Sequence, residues 1–148
     1  MTKSISPVTI VLIEDDEGHA RLIEKNIRRA NVNNSIEAFS DGTSALQFLL
    51  GADQSGEVNV GRQLLVLLDL NLPDMSGLDI LRRLKANAHL KRVPVVVLTT
   101  TDDAQEIGRC YDEGASFYMT KPVSYEGFAN AIRQLGMFFS VVQIAETE

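Results

Sequence analysis

Four places in this chain put groups with reactive chemistry directly after an apolar run. Glu14, Asp15 and Asp16 follow residues 8–13, and Asp69 follows residues 64–68. Thr99, Thr100 and Thr101 follow residues 93–98, a run broken only by Pro94, and Lys121-Pro122 follows the short stretch 116–119. Carboxylates brought together repel one another, and some would take up protons unless a cation relieved them. Oxygen-only donors with water positions left open suit Mg2+ (or Mn2+), which favours one or two carboxylates plus phosphate oxygens. A lysine adds a movable positive charge, and a threonine hydroxyl can donate to an incoming oxygen. Such a set suits phosphoryl transfer, where positioning and charge neutralisation do most of the work. Asp69 is the expected nucleophile, giving an acyl phosphate.

These groups meet only if the apolar runs are neighbouring strands. The runs 8–13, 64–68 and 93–98 are rich in Val, Ile and Leu without polar alternation, which is the pattern of strands buried on both faces of a parallel sheet. Shorter strands are expected at 35–39 and 116–119. Between them lie helical patterns: Ala20, Ile23, Ile27 and Ala30 share one face, and Ala45, Leu46, Phe48, Leu49 and Leu50 follow the turn signal Asp41-Gly42. Leu78, Leu81 and Leu84 form a third helix, Ala104, Ile107 and Tyr111 a fourth, and Phe128, Ala129, Ile132 and Leu135 a fifth. Five β–α repeats predict an α/β fold, a three-layer doubly wound sandwich around a five-stranded parallel sheet with right-handed crossovers. In such sheets ligands bind outside the carboxyl ends of the strands, where the reactive groups stand. The Gly-rich stretch 51–63 reads as a surface loop within the domain.

The ordered motifs resemble those of response-regulator receiver domains, the phospho-accepting modules of two-component signalling. They are Ile13-Glu14-Asp15-Asp16, then Leu67-Leu68-Asp69-Leu70-Asn71-Leu72-Pro73-Asp74-Met75-Ser76-Gly77, then Val97-Leu98-Thr99-Thr100, Gly114-Ala115-Ser116-Phe117-Tyr118 and Thr120-Lys121-Pro122. The resemblance implies a flavodoxin-like (βα)5 topology and no enzymatic activity beyond self-phosphorylation and autodephosphorylation. It implies that Asp69 accepts phosphate from a sensor histidine kinase. Asp15 and Asp69 would bind Mg2+ (or Mn2+) directly, Asn71 through its backbone carbonyl and Glu14 through water. Thr99, with Thr100 beside it, and Lys121 would hold the phosphoryl oxygens, Tyr118 would be the switch aromatic, and the peptide before Pro122 would be cis. The phrase Asp69-Leu70-Asn71-Leu72-Pro73, the run Val95-Val96-Val97-Leu98-Thr99-Thr100, the long loop before the third strand and the apolar tail are similar to phytochrome-linked regulators of cyanobacteria and other bacteria. That likeness implies a phytochrome-linked phosphorelay, with a bacteriophytochrome as the kinase and a histidine phosphotransfer protein as a further partner.

Each position also has a plainer reading. Glu14, Asp15 and Asp16 could start a helix, with Asp16 the expected cap; Asp69 could be a turn residue; Lys121 could be solvated; Tyr118 could be core packing. Thr101 or Asp102 is the expected cap of the fourth helix, and His19 and His89 read as exposed polar residues. A haloacid-dehalogenase-like phosphohydrolase would need an acid where Asn71 stands, and an FMN binder would need a phosphate-cradling loop where the acidic triplet stands. A degenerate receiver acting as a scaffold would lack some of these site residues. The bounds expected are an N-terminal arm at 1–7, the receiver at 8–136 and an extension at 137–148. Phe128, Ile132, Leu135, Phe139 and Val142 form one apolar strip, and Met137, Phe138 and Val141 a second, more than one helix buries in a small domain, so a homodimer through the last helix and tail is expected. A net charge of -6 argues against nucleic acid or anionic membranes. The single cysteine, Cys110, excludes an internal disulfide and a cysteine-built zinc site. Without a signal-like start or a long apolar run, a cytoplasmic location is expected.

Overall fold

The computed structural model describes residues 8–100 and 103–134. Strands β1 (Thr9–Ile13), β2 (Ile36–Phe39), β3 (Leu64–Asp69), β4 (Val95–Thr99) and β5 (Phe117–Thr120) alternate with helices α1 (Glu17–Arg29), α2 (Gly42–Leu50), α3 (Gly77–Lys85), α4 (Ala104–Asp112) and α5 (Tyr125–Gln134). The strands pair in parallel in the order β2-β1-β3-β4-β5. The chain leaves β1 toward β2 on one side and then crosses to β3 on the other. The order therefore reverses between β1 and β3, and their tips finish level, with Ile13 opposite Leu68.

The two-residue period of the strands divides the core. Ile10, Leu12, Leu65, Leu67, Val96 and Leu98 pack with Ile23 and Ile27 of α1 and Phe128 and Ala131 of α5. Val11, Ile13, Leu64, Val66, Leu68, Val95 and Val97 face α2, α3 and α4 through Leu46, Leu49, Ile80, Leu81, Leu84 and Cys110. All six residues of β3 are buried, Asp69 included. That strand is clamped between helices on both faces, so the carboxylate at its end has little freedom to move. Just beyond it, α3 begins against the strand's own backbone. A Cβ on Gly77 would lie 2.5 Å from the Asp69 carbonyl oxygen, so glycine is what lets α3 close there.

Two expectations need correction. The segment 51–63 is more than a surface loop: it contains a 3-10 turn, Glu57–Asn59. Asn59 is buried, and its Nδ2 donates to the carbonyls of Phe48 and Leu49 at 2.9 and 2.8 Å, satisfying acceptors that the end of α2 leaves open. The cap of α4 is Asp103, whose carboxylate accepts from the Gln105 amide at 2.9 Å; Thr101 and Asp102 lie outside the described residues. So do the arm at 1–7, the side chain of Ile132 and everything from Leu135 on, with the second apolar strip and the dimer surface expected there. Among the described residues no helix is long and apolar enough to cross a membrane.

Candidate functional site

The acidic triplet after β1 divides its labour. Asp16 caps α1, accepting from the His19 amide at 2.9 Å, as expected. That turns Glu14 inward, where it is 3% exposed, and leaves Asp15 exposed at the rim. Asp69, also 3% exposed, reaches the same spot from β3. Its Oδ1 accepts from the Asn71 amide at 3.1 Å and its Oδ2 from Lys121 Nζ at 3.1 Å. Lys121 arrives from the turn after β5, whose Lys121-Pro122 peptide is cis and whose Lys121 amide donates to the Thr99 carbonyl at 2.8 Å.

Lys121 Nζ also lies 2.7 Å from Glu14 Oε1. This contact is an ion pair without hydrogen-bond geometry, since buried Oε1 has no hydrogen-bond partner. Glu14 Oε2 accepts from the Asp16 amide at 3.2 Å. Ligand oxygens of Glu14, Asp15 and Asp69 fall within 4.8 Å of one another. They border a cavity of about 230 Å³ that Asn71, Thr100, Lys121, Asp16 and His19 complete.

Burial pushes the Glu14 carboxyl above its usual value; Lys121 and the Asp16 amide oppose this, and the charge on Asp69 adds to it. Burial pulls Lys121 down, but Glu14 and Asp69 outweigh it, and the ammonium ends above its ordinary value. Three carboxylates thus face one ammonium. Hard oxygen donors carrying more negative charge than the one ammonium neutralises fit a divalent cation.

Of the expected site residues, Glu14, Asp15, Asp69, Asn71, Thr100 and Lys121 all border this one cavity. Thr99 is buried behind it, opposite Thr120 in register. Tyr118 stands farther back on the same face, opposite Val97, half-buried with its ring edge-on to Tyr111 at 6.0 Å. His19 was expected only to be exposed. It is exposed, but it also stands at the cavity mouth, with Nδ1 3.8 Å from Glu14 Oε2. Its place one turn into α1 follows from Asp16 being the cap, which is the signal that could have found it.

A family model described as the response regulator receiver domain matches residues 10–133. The chain belongs to this family. Receiver domains bind a divalent metal, are typically phosphorylated on aspartate by a sensor-kinase partner, and are typically signalling domains rather than catalysts. The receiver is 33% identical to the response regulator Rcp1 of Synechocystis over 93% of its own length and 92% of the relative's. The Mn2+-bound structure of Rcp1 superposes with a TM-score of 0.70 at 30% identity, covering 95% of this chain and 98% of the other. A response regulator receiver domain from Rhodospirillum rubrum superposes at 0.78 with 71% identity, covering 95% and 99%. The bacteriophytochrome response regulator AtBRR superposes at 0.77 with 32% identity, covering 93% and 97%. The receiver is thus a response regulator related to phytochrome-associated regulators, with the expected five-stranded parallel sheet and flavodoxin-like topology.

Proposed function

We propose that the receiver takes a phosphoryl group on Asp69 from a phosphohistidine, with Mg2+ (or Mn2+) held by Asp15, Asp69 and the Asn71 backbone carbonyl. The observation that carries this is the meeting of Asp69 with Glu14, Asp15 and Lys121 where the strand order reverses. Both Glu14 oxygens are already engaged, by the Lys121 ammonium and the Asp16 amide, which supports a role through water.

In the transfer an Asp69 carboxylate oxygen attacks phosphorus. The new O–P bond forms as the P–N bond to the donor imidazole breaks, and the leaving nitrogen keeps that electron pair. The bound cation supplies charge neutralisation for the phosphoryl oxygens. Lys121 already bridges Glu14 and Asp69, so it can pass to a phosphoryl oxygen with little movement. Thr99 donates its hydroxyl to another, Thr100 walls the entrance, and Tyr118 follows Thr99 inward to reshape the α4–β5 surface.

A bacteriophytochrome is the kinase we favour, on the likeness to AtBRR and Rcp1, with a histidine phosphotransfer protein as an intermediate and the cytoplasm as the location. Homodimerisation through the last helix and tail belongs to the same proposal. Intact-mass measurement with acetyl phosphate and Mg2+ tests the chemistry. One phosphoryl adduct is expected on the wild type, and none on Asp69→Asn or in EDTA. An adduct that persists on Asp69→Asn overturns the assignment.

A further inference from the structure

The segment between β3 and α3, residues 70–76, packs Leu70, Leu72 and Met75 against the core, while Asn71 and Asp74 are exposed, so burial does not hold those two side chains. Its polar anchor lies on another element. Asp74 Oδ1 accepts from the Gly42 amide at 2.9 Å, and Oδ2 accepts from the Thr43 amide at 2.8 Å and from the Thr43 hydroxyl. Those amides belong to the first turn of α2, whose opening N–H groups have no partner within the helix. The helix has its own cap as well: Asp41 accepts from the Ser44 amide at 2.7 Å. The contact is close, since a Cβ on Gly42 would meet Met75 Cγ at 2.6 Å. Helix α2 is fixed to the sheet by Ala45, Leu46, Leu49 and Leu50, all buried.

We propose that Asp74 is a positioning residue for the metal and phosphoryl site, tying the Asn71 loop to the start of α2. This rests on the proposed reading of the Asp69 site. The loop is closed on itself by the Asn71–Ser76 bridge and by the Gly77 amide donating to the Leu70 carbonyl at 2.9 Å. With Asp74 anchored to a rigid helix, this small ring cannot swing sideways, and the Asn71 backbone, whose amide donates to Asp69 Oδ1 at 3.1 Å, keeps its place beside Asp69. The Thr43 hydroxyl and the Gly42 amide hold the Asp74 carboxyl down to about 2, so it stays charged at any pH used for assay.

The test measures Mn2+ affinity, read by the paramagnetic resonance of the free ion because the chain has no tryptophan to report binding. Asp74→Ala is expected to bind Mn2+ about tenfold more weakly, the effect typical of losing a group that orients a metal ligand. Its acetyl phosphate labelling should slow at low Mn2+ and recover at saturation. Thr43→Val, which removes one of the three contacts, should fall between Asp74→Ala and wild type. Asp41→Ala removes the helix's own cap without touching the loop, so it should lower Tm and leave Mn2+ affinity unchanged. Equal weakening by Asp41→Ala would reduce the role of Asp74 to helix stability and overturn the proposal. Unchanged affinity in Asp74→Ala overturns it too, and Thr43→Val decides in the same way should Asp74→Ala not fold. A wild type that binds no Mn2+ overturns the site reading and the anchor with it, whereas wild-type binding with unaffected variants overturns the anchor alone.

Discussion

Glu14 is a buried acid at the proposed metal site, and its surroundings set what it contributes to the fold. Its carboxylate is buried beside Asp69 and has one ammonium, Lys121, shared between the two. Burial raises its pKa, so the folded chain holds this proton more tightly than the unfolded chain does. The stabilising contribution of the protonated acid is therefore complete below about 4.5, the ordinary value, and is lost as pH rises through the raised one. Lys121 carries the same trend at the far end: its raised value gives stability that is complete below 10.5 and is lost as pH rises through that raised value. As pH rises through its own raised value, Glu14 becomes a carboxylate crowded against Asp69. Glu14→Gln keeps the shape, removes that charge and leaves Lys121 paired with Asp69. In EDTA at pH 7.5 its Tm should rise by about 2–4 °C, corresponding to roughly 1 kcal/mol in a chain of this size, and the gain should shrink as pH falls toward 5. A lower Tm at pH 7.5 would mean that the Glu14–Lys121 pair outweighs the repulsion.

Among the elements, the junction of β3 and α3 is the most constrained. Gly77 there needs no unusual backbone angle; what it needs is room, since a Cβ would meet the Asp69 carbonyl oxygen at 2.5 Å and Leu70 Cα at 2.7 Å. Both obstacles are backbone and cannot rotate away. Alanine would add about 1 kcal/mol of helix propensity, but overpacking costs typically 1–3 kcal/mol and here has no flexible side chain to absorb it. Gly77→Ala should lower Tm by about 2–8 °C and slow acetyl phosphate labelling, because β3 must shift with Asp69 on its end; an unchanged Tm would refute the clash. At this scale the sequence is informative where one element explains a residue. The apolar runs marked the three central strands, and the polar residues at their ends marked Glu14, Asp15, Asp69 and Thr99. It is silent where a residue acts across elements. Asn59 caps α2 from a turn nine residues beyond the helix, and Asp74 does so from a loop on another strand; no local pattern carries either contact. His19 sat in view, but its place at the cavity mouth depends on which of three acids caps α1.

For the molecule as a whole, the decisive fact is that the site has no local version. Residues 14–15, 69 and 121 lie far apart along the chain and meet only when β1, β3 and β4 have paired and the turn after β5 has docked on Thr99. A cation bound by Asp15 and Asp69 therefore has nothing comparable to bind in the unfolded chain, and its binding free energy is added to folding. At a free concentration of one hundred times Kd that is about 2.7 kcal/mol, or roughly 5–11 °C in Tm for a domain of this length. Because the ligands span the sheet, the gain belongs to the whole cooperative unit. Far-ultraviolet circular dichroism and tyrosine fluorescence should report the same rise on moving from EDTA to Mg2+. Asp15→Asn should lose most of it, since that variant removes an exposed carboxylate of the proposed metal site without disturbing the core. A Tm indifferent to Mg2+ in the wild type, or a rise that survives intact in Asp15→Asn, would place the cation elsewhere and detach the acidic pocket from the stability of the fold.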